Sequence, residues 1–157
     1  RFINELESVM PKNKEKPAAG SPLVHWIKPP RGFEKINVNA AISKNSSMAS
    51  VAAVARDEEG NLLGTSALVL EGCTDAEIAE VVACHEGLAL ASGLGLQTFR
   101  VASDYINVVH SIHGQGFGTH GPIIQEIKSR KDGFTRVEFV HEGGSSNFNA
   151  HCVARSY

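Results

Sequence analysis

Cysteine is scarce in this chain: three in 157 residues, Cys73, Cys84 and Cys152. They form no paired spacing, so neither a zinc ribbon nor a disulfide scaffold is encoded. An odd, scattered set fits reduced thiols in an intracellular compartment, with nucleus and cytoplasm both open. Long apolar runs are missing, and nothing approaches the roughly 18 residues that cross a bilayer. A basic excess is missing too. Fifteen Lys and Arg face seventeen Asp and Glu, for a net charge of −2. That argues against tight, nonspecific nucleic-acid binding but leaves room for a local basic groove. The chain starts on Arg1 and shows no signal-peptide pattern, so the expectation is a fragment or domain of a larger protein, and the domain is expected to be monomeric. What is present is ordinary: 42% hydrophobic residues, enough to build one core.

The first 24 residues read as a linker or the tail of an upstream domain. Phe2, Leu6, Val9 and Met10 offer one or two helical turns, and Pro11 to Pro22 is rich in Lys, Pro and Ala. Residues 25–157 read as one domain, entered through an extended Trp26-x-Lys28-Pro29-Pro30. Phe33 to Ser43 alternates, with Phe33, Lys35, Asn37 and Asn39 on one face and Ile36 and Val38 on the other. Ala49 to Arg56 and Leu62 to Leu70 follow as strands, joined by a turn in which Gly60 suits positive φ. Thr74-Asp75-Ala76-Glu77 reads as a capping box with Thr74 as the cap. The helix after it runs to about Gly93. One stripe carries Ile78, Val81, Val82 and Leu88, and the next carries Glu80, Ala83, Cys84, Gly87 and Ala91. Small residues let that second stripe lie close on a sheet, and Glu80 at its head needs a partner.

Phe99 to Ser103 is the fourth strand, and Asp104 is placed to cap a helix over Ile106 to His113. Ile123 to Arg130 is another helix, Phe134 to His141 the last strand, and Asn147 to Arg155 a short terminal helix. The order βββαβααβα predicts an α/β fold: a five-stranded mixed sheet, three antiparallel strands then parallel ones, flanked by helices. Such a fold gathers Asn39, Glu80 and Asp104 around one spot, where two carboxylates suit a hard divalent cation.

Order and residues together resemble the ribonuclease H fold. More narrowly they resemble the ribonuclease H-like domain beside reverse transcriptases of plant-type retroelements. The matching pieces are Trp26-x-Lys28-Pro29-Pro30, Lys35-Ile36-Asn37-Val38-Asn39-Ala40-Ala41, Val54-Ala55-Arg56-Asp57-x-x-Gly60, Ala79-Glu80 leading into Glu86-Gly87-Leu88, Val101-x-Ser103-Asp104, and Phe139-Val140-His141 through Asn147 to Ala150-His151-x-x-Ala154. They cover about residues 26–156. The resemblance implies an endonuclease that cuts the RNA strand of an RNA–DNA hybrid by two-metal hydrolysis. The four acidic positions of the family fall on Asn39, Glu80, Asp104 and His151. The assisting histidine falls on His141, and Asn147, Lys128 and Arg130 are candidates for substrate contact.

Two of the four acidic positions therefore carry no carboxylate. Two divalent ions about 4 Å apart repel by roughly 17 kcal/mol at an effective dielectric of 20. Glu80 and Asp104 supply two charges against that, and an Asn lends only a neutral oxygen. Asp57 cannot stand in for the missing acid: Asn39 should face about Ala52, which leaves Asp57 roughly 16 Å along its strand. The expectation is one weakly held Mg²⁺ or Mn²⁺, hydrolysis weakened or lost, and weak hybrid binding. The alternative is an inactive module on the same fold that binds nucleic acid or protein.

Each candidate also has a plainer reading. Asn39 can be a hydrogen-bonded strand residue, Glu80 a helix-surface acid and Asp104 a cap. His110, His113 and His120 lack a completing ligand for zinc. Gly114-x-Gly116-x-Gly118 follows a helix instead of opening one, so it reads as a linker. Lys128, Arg130, Lys131 and Arg136 can equally be a solvated helix end and strand start. Cys84 and Cys152 read as core thiols.

Overall fold

The computed structural model describes residues 26–115 and 121–143. The expected N-terminal turns and linker, the terminal helix, Asn147, His151, Cys152 and His120 lie outside them.

Three strands come first: β1 (Glu34–Ser43), β2 (Met48–Arg56) and β3 (Leu62–Glu71). β-Branched and small residues dominate the first two, which suits a sheet buried on both faces. Helix α1 (Ala76–Leu94), β4 (Thr98–Ser103), α2 (Ile106–His110), α3 (Gly121–Lys131) and β5 (Arg136–His141) follow. The sheet order is β3-β2-β1-β4-β5. β1 is antiparallel to β2 and β2 to β3, while β4 runs parallel to both β1 and β5. This is the mixed sheet that the sequence pattern predicts. Asn39 faces Ala52, also as predicted.

The β2–β3 turn closes as expected on Gly60, at φ 91°. Asp57 is committed to that turn. Its carboxylate accepts from the amides of Glu59 and Asn61 at 3.0 and 2.8 Å.

α1 lies on one face of the sheet, against β1 and β2. Ala79, Glu80, Ala83, Cys84, Gly87 and Ala91 are all buried along it. Gly87 shows why the stripe is small: a Cβ there would stand 2.9 Å from Val38 Cγ1 and 3.5 Å from Ile36 Cγ2. Ile36 and Val38 thus face α1, and Lys35 and Asn37 meet Trp26 on the other side of the sheet.

The helix starts differ from expectation. Asp75, not Thr74, caps α1: its Oδ1 accepts from the amides of Glu77 and Ile78 at 2.8 and 3.3 Å. A carboxylate satisfies both donors at once and adds charge favourable to the helix N-terminus. Asp104 does not cap α2. Tyr105 holds that position with no side-chain bond, and Ser103 Oγ accepts from the Tyr105 amide at 3.1 Å. The helix expected to reach His113 ends at His110. The chain continues through a π-type turn, Ser111–Gln115, which breaks at Gly114 with φ 91°. α3 begins two residues earlier than expected, at Gly121, and β5 two residues later, at Arg136. Arg136 is where the ladder with β4 begins, opposite Thr98.

Candidate active site

The site forms where β1 and β4 stop pairing. Their ladder ends at Asn37 and Ala102. Two residues beyond that last pair come Asn39, still in β1, and Asp104, just past the end of β4. α1 brings Glu80 to the same end. Glu80 is only 6% exposed.

Burial pushes the Glu80 carboxyl up to about 8, and the charge of Asp104 adds to the rise. The two acids are therefore within electrostatic reach. The Ala40 amide and the Ser103 hydroxyl pull the other way. The Ala40 amide, however, donates at 2.7 Å to Asn39 Oδ1. Glu80 Oε1 remains buried with no hydrogen-bond partner among the described residues. An uncompensated carboxylate oxygen beside a second acid is a place for a cation. Asn39 is 3% exposed, and its amide replaces a third charge. Among the described residues no three His, Cys, Asp or Glu side chains converge. The donor set fits one divalent cation between Glu80 and Asp104. Among the described residues it does not fit a close pair.

His141 ends β5 exposed, and it pairs in register with Ser103, next to Asp104. It thus flanks the acids one strand away. Lys128 and Arg130 lie elsewhere, on α3. Lys128 Nζ sits by the Gly114 break, and Arg130 Nε is 3.6 Å from Glu126 Oε2. Glu126 also meets His85 on α1 at 3.0 Å.

Sequence reasoning passed over a second polar group on the Asn39 face. Lys35 forms an ion pair with Glu142, both buried, and donates to the Ile27 carbonyl at 2.6 Å. Its ammonium lies 5.8 Å from the centre of the Trp26 ring, and Trp26 Nε1 donates to Asn37 Oδ1 at 3.2 Å. Desolvation holds the Lys35 ammonium below the usual lysine range, against the raising effect of Glu142. The signal in the sequence was a lysine sharing a strand face with two asparagines. Glu142 gave no signal.

A mixed sheet in this order, with Asp104 and His141 at its strand ends and Glu80 on the helix beside them, defines a ribonuclease H-like domain. The chain belongs to the reverse transcriptase-like family, whose model matches residues 37–157. Among curated proteins none matches. Solved structures with similar folds include the N-terminal RNase H domain of a Mycobacterium tuberculosis protein, studied as a fusion with maltose binding protein. It is 20% identical with a TM-score of 0.72, covering 79% of this chain and 91% of that one. LC11-RNase H1 in complex with RNA/DNA hybrid is 20% identical, with a TM-score of 0.70 over 78% and 94%. RNase H1 from Halobacterium salinarum is 20% identical, with a TM-score of 0.68 over 80% and 96%. At this identity the likeness establishes the fold.

Proposed function

We propose that this domain is an RNA–DNA hybrid endoribonuclease of the retroelement type, weakened at its metal site. The observation that carries the proposal is the buried Glu80 carboxylate, with its unpartnered oxygen, facing Asp104. Glu80 and Asp104 would hold one Mg²⁺ or Mn²⁺, with Asn39 lending a neutral oxygen. A divalent cation supplies charge for a phosphate oxygen and lowers the pKa of water. The remaining work falls to the chain. Ser103 keeps the β4 end in place through the Tyr105 amide. His141 stands exposed at the rim, where its imidazole can take up or deliver a proton. Lys128 and Arg130 offer charge to the phosphate backbone away from the cut.

The neutral, buried Asn39 favours a second reading, a module that binds hybrid without cutting it. Cleavage of a labelled hybrid in Mg²⁺ and Mn²⁺ separates the two, comparing the chain with Asn39→Asp. The weakened-enzyme reading expects the variant to cut at least about 100-fold faster, since a full charge returns to the cation site. No cleavage by either chain would leave the binding module standing.

A further inference from the structure

We propose that the buried Lys35–Glu142 pair is a cross-tie that positions His141 and the Ser103–Asp104 strand end against β1. The inference rests on the hydrolytic reading of that strand end and adds to it a residue pair that need not touch the substrate.

Ladder hydrogen bonds cannot do this positioning alone. β1 and β4 part company after Asn37 and Ala102, and the β4–β5 ladder ends at Ser103 and His141. Asn39 and Asp104 therefore sit past the last shared rungs, and His141 sits on the last one. Glu142 is the next residue after His141, and it is held twice. Its amide donates to the Ser103 carbonyl at 2.9 Å, and its carboxylate meets Lys35 on β1. One residue thus ties β5 to β4 through backbone and to β1 through side chain. Lys35 is fixed in turn by the Ile27 carbonyl and by the face of Trp26. Trp26 closes the circuit through Asn37, two residues before Asn39.

Energetics also point to placement. Lys35 is 1% exposed and Glu142 8%, and Glu142 Oε1 finds no hydrogen-bond partner among the described residues. Apolar residues of similar volume would serve stability as well as such a pair, or better. What an ion pair adds is a single preferred geometry, and here that geometry decides where His141 stands.

The test uses the Asn39→Asp chain as parent and compares Lys35→Met with the double variant Lys35→Met/Glu142→Leu. Lys35→Met alone should lower Tm, because it strands a buried carboxylate. The double variant should recover that Tm. It should still cleave at least about 10-fold more slowly at saturating hybrid, with Kd unchanged, as displaced reacting groups do. The His141 imidazole resonances, assigned by their loss in His141→Gln, should move. Parent-like cleavage and unmoved His141 resonances in the double variant would reduce the pair to a fold staple and overturn the proposal. If the Asn39→Asp parent does not cleave, the hydrolytic reading falls, and the His141 resonances alone decide whether the pair positions that residue. Should the double variant not fold, Glu142→Gln repeats the resonance comparison at nearly constant volume.

Discussion

Glu80 is a charge the fold would do better without. It lies in a helix stripe of Ala, Cys and Gly, is nearly sealed from water, and faces a second acid. Glu80→Gln keeps the shape and removes the charge. In chelator at pH 8.5 the variant should be more stable by about 1–3 kcal/mol, read by urea unfolding, because it no longer buries an unpaired oxyanion. The same variant should lose any stabilisation by Mg²⁺. A less stable variant would mean that the Ala40 amide and the Ser103 hydroxyl already compensate the carboxylate, which removes the case for a cation there. Glu138 behaves in the opposite sense. Arg100 donates to it at 2.8 Å and Arg136 at 3.1 Å, and these bonds hold its carboxyl below the usual range. A depressed folded-state value stabilises above the unfolded pKa near 4.5 and is lost as pH falls through the folded value. Glu138→Gln should therefore flatten the acid limb of the stability curve below pH 4.5. The effect stays under about 1 kcal/mol, because the group is partly exposed. An unchanged acid limb would show the pair to be electrostatically idle.

At the scale of elements, the close approach of α1 to β1 is the joint on which the site depends, since it carries Glu80 to the strand end. Gly87→Ala tests it. A helix normally gains about 1 kcal/mol from this exchange. Here the new Cβ would meet Val38 Cγ1 at 2.9 Å, and Val38 is a stiff β-branched residue in a central strand. Overpacking should win, with a net loss of about 1–2 kcal/mol in chemical denaturation. A gain in stability would mean that the helix can ride away from the sheet. This joint was legible in the sequence because periodicity reports faces: Ala83, Cys84, Gly87 and Ala91 fall on one stripe. The strands were legible for the same reason, as was the pairing of Asn39 with Ala52. Caps were less so. Thr74 and Asp75 are both good caps, and one residue of backbone geometry decides between them. The break after His110 was hidden, because Ile112 and His113 continue a helical pattern until Gly114 ends it. Asn39, Glu80 and Asp104 were nameable from their strand and helix positions. Lys35 and Glu142 stand 107 residues apart, and only the β1–β4–β5 order brings them together.

Taken whole, the chain carries no basic excess to hold a nucleic acid. Its net charge is −2, and the basic residues cluster in small groups with acids among them. On α3, Lys128, Arg130 and Lys131 face outward or partly so, with Arg130 already near Glu126. Arg100 and Arg136 are engaged by Glu138 and lie near the ring of Phe33, at 5.8 and 5.9 Å. If α3 alone meets the phosphate backbone, about three cations engage it, which sets the logarithmic salt slope of hybrid binding at about −2.7. Between 50 and 200 mM salt the affinity should therefore fall by about 40-fold, against the 10³–10⁵ lost by proteins making six to ten phosphate contacts. Fluorescence anisotropy of a labelled hybrid, titrated at four salt concentrations in chelator, measures the slope without cleavage. Lys128→Gln and Arg130→Gln should each reduce it by about one if they meet phosphate. A slope near −6 would demand a binding surface wider than α3. A slope near zero would remove the phosphate backbone from the recognition, and with it the hybrid as ligand.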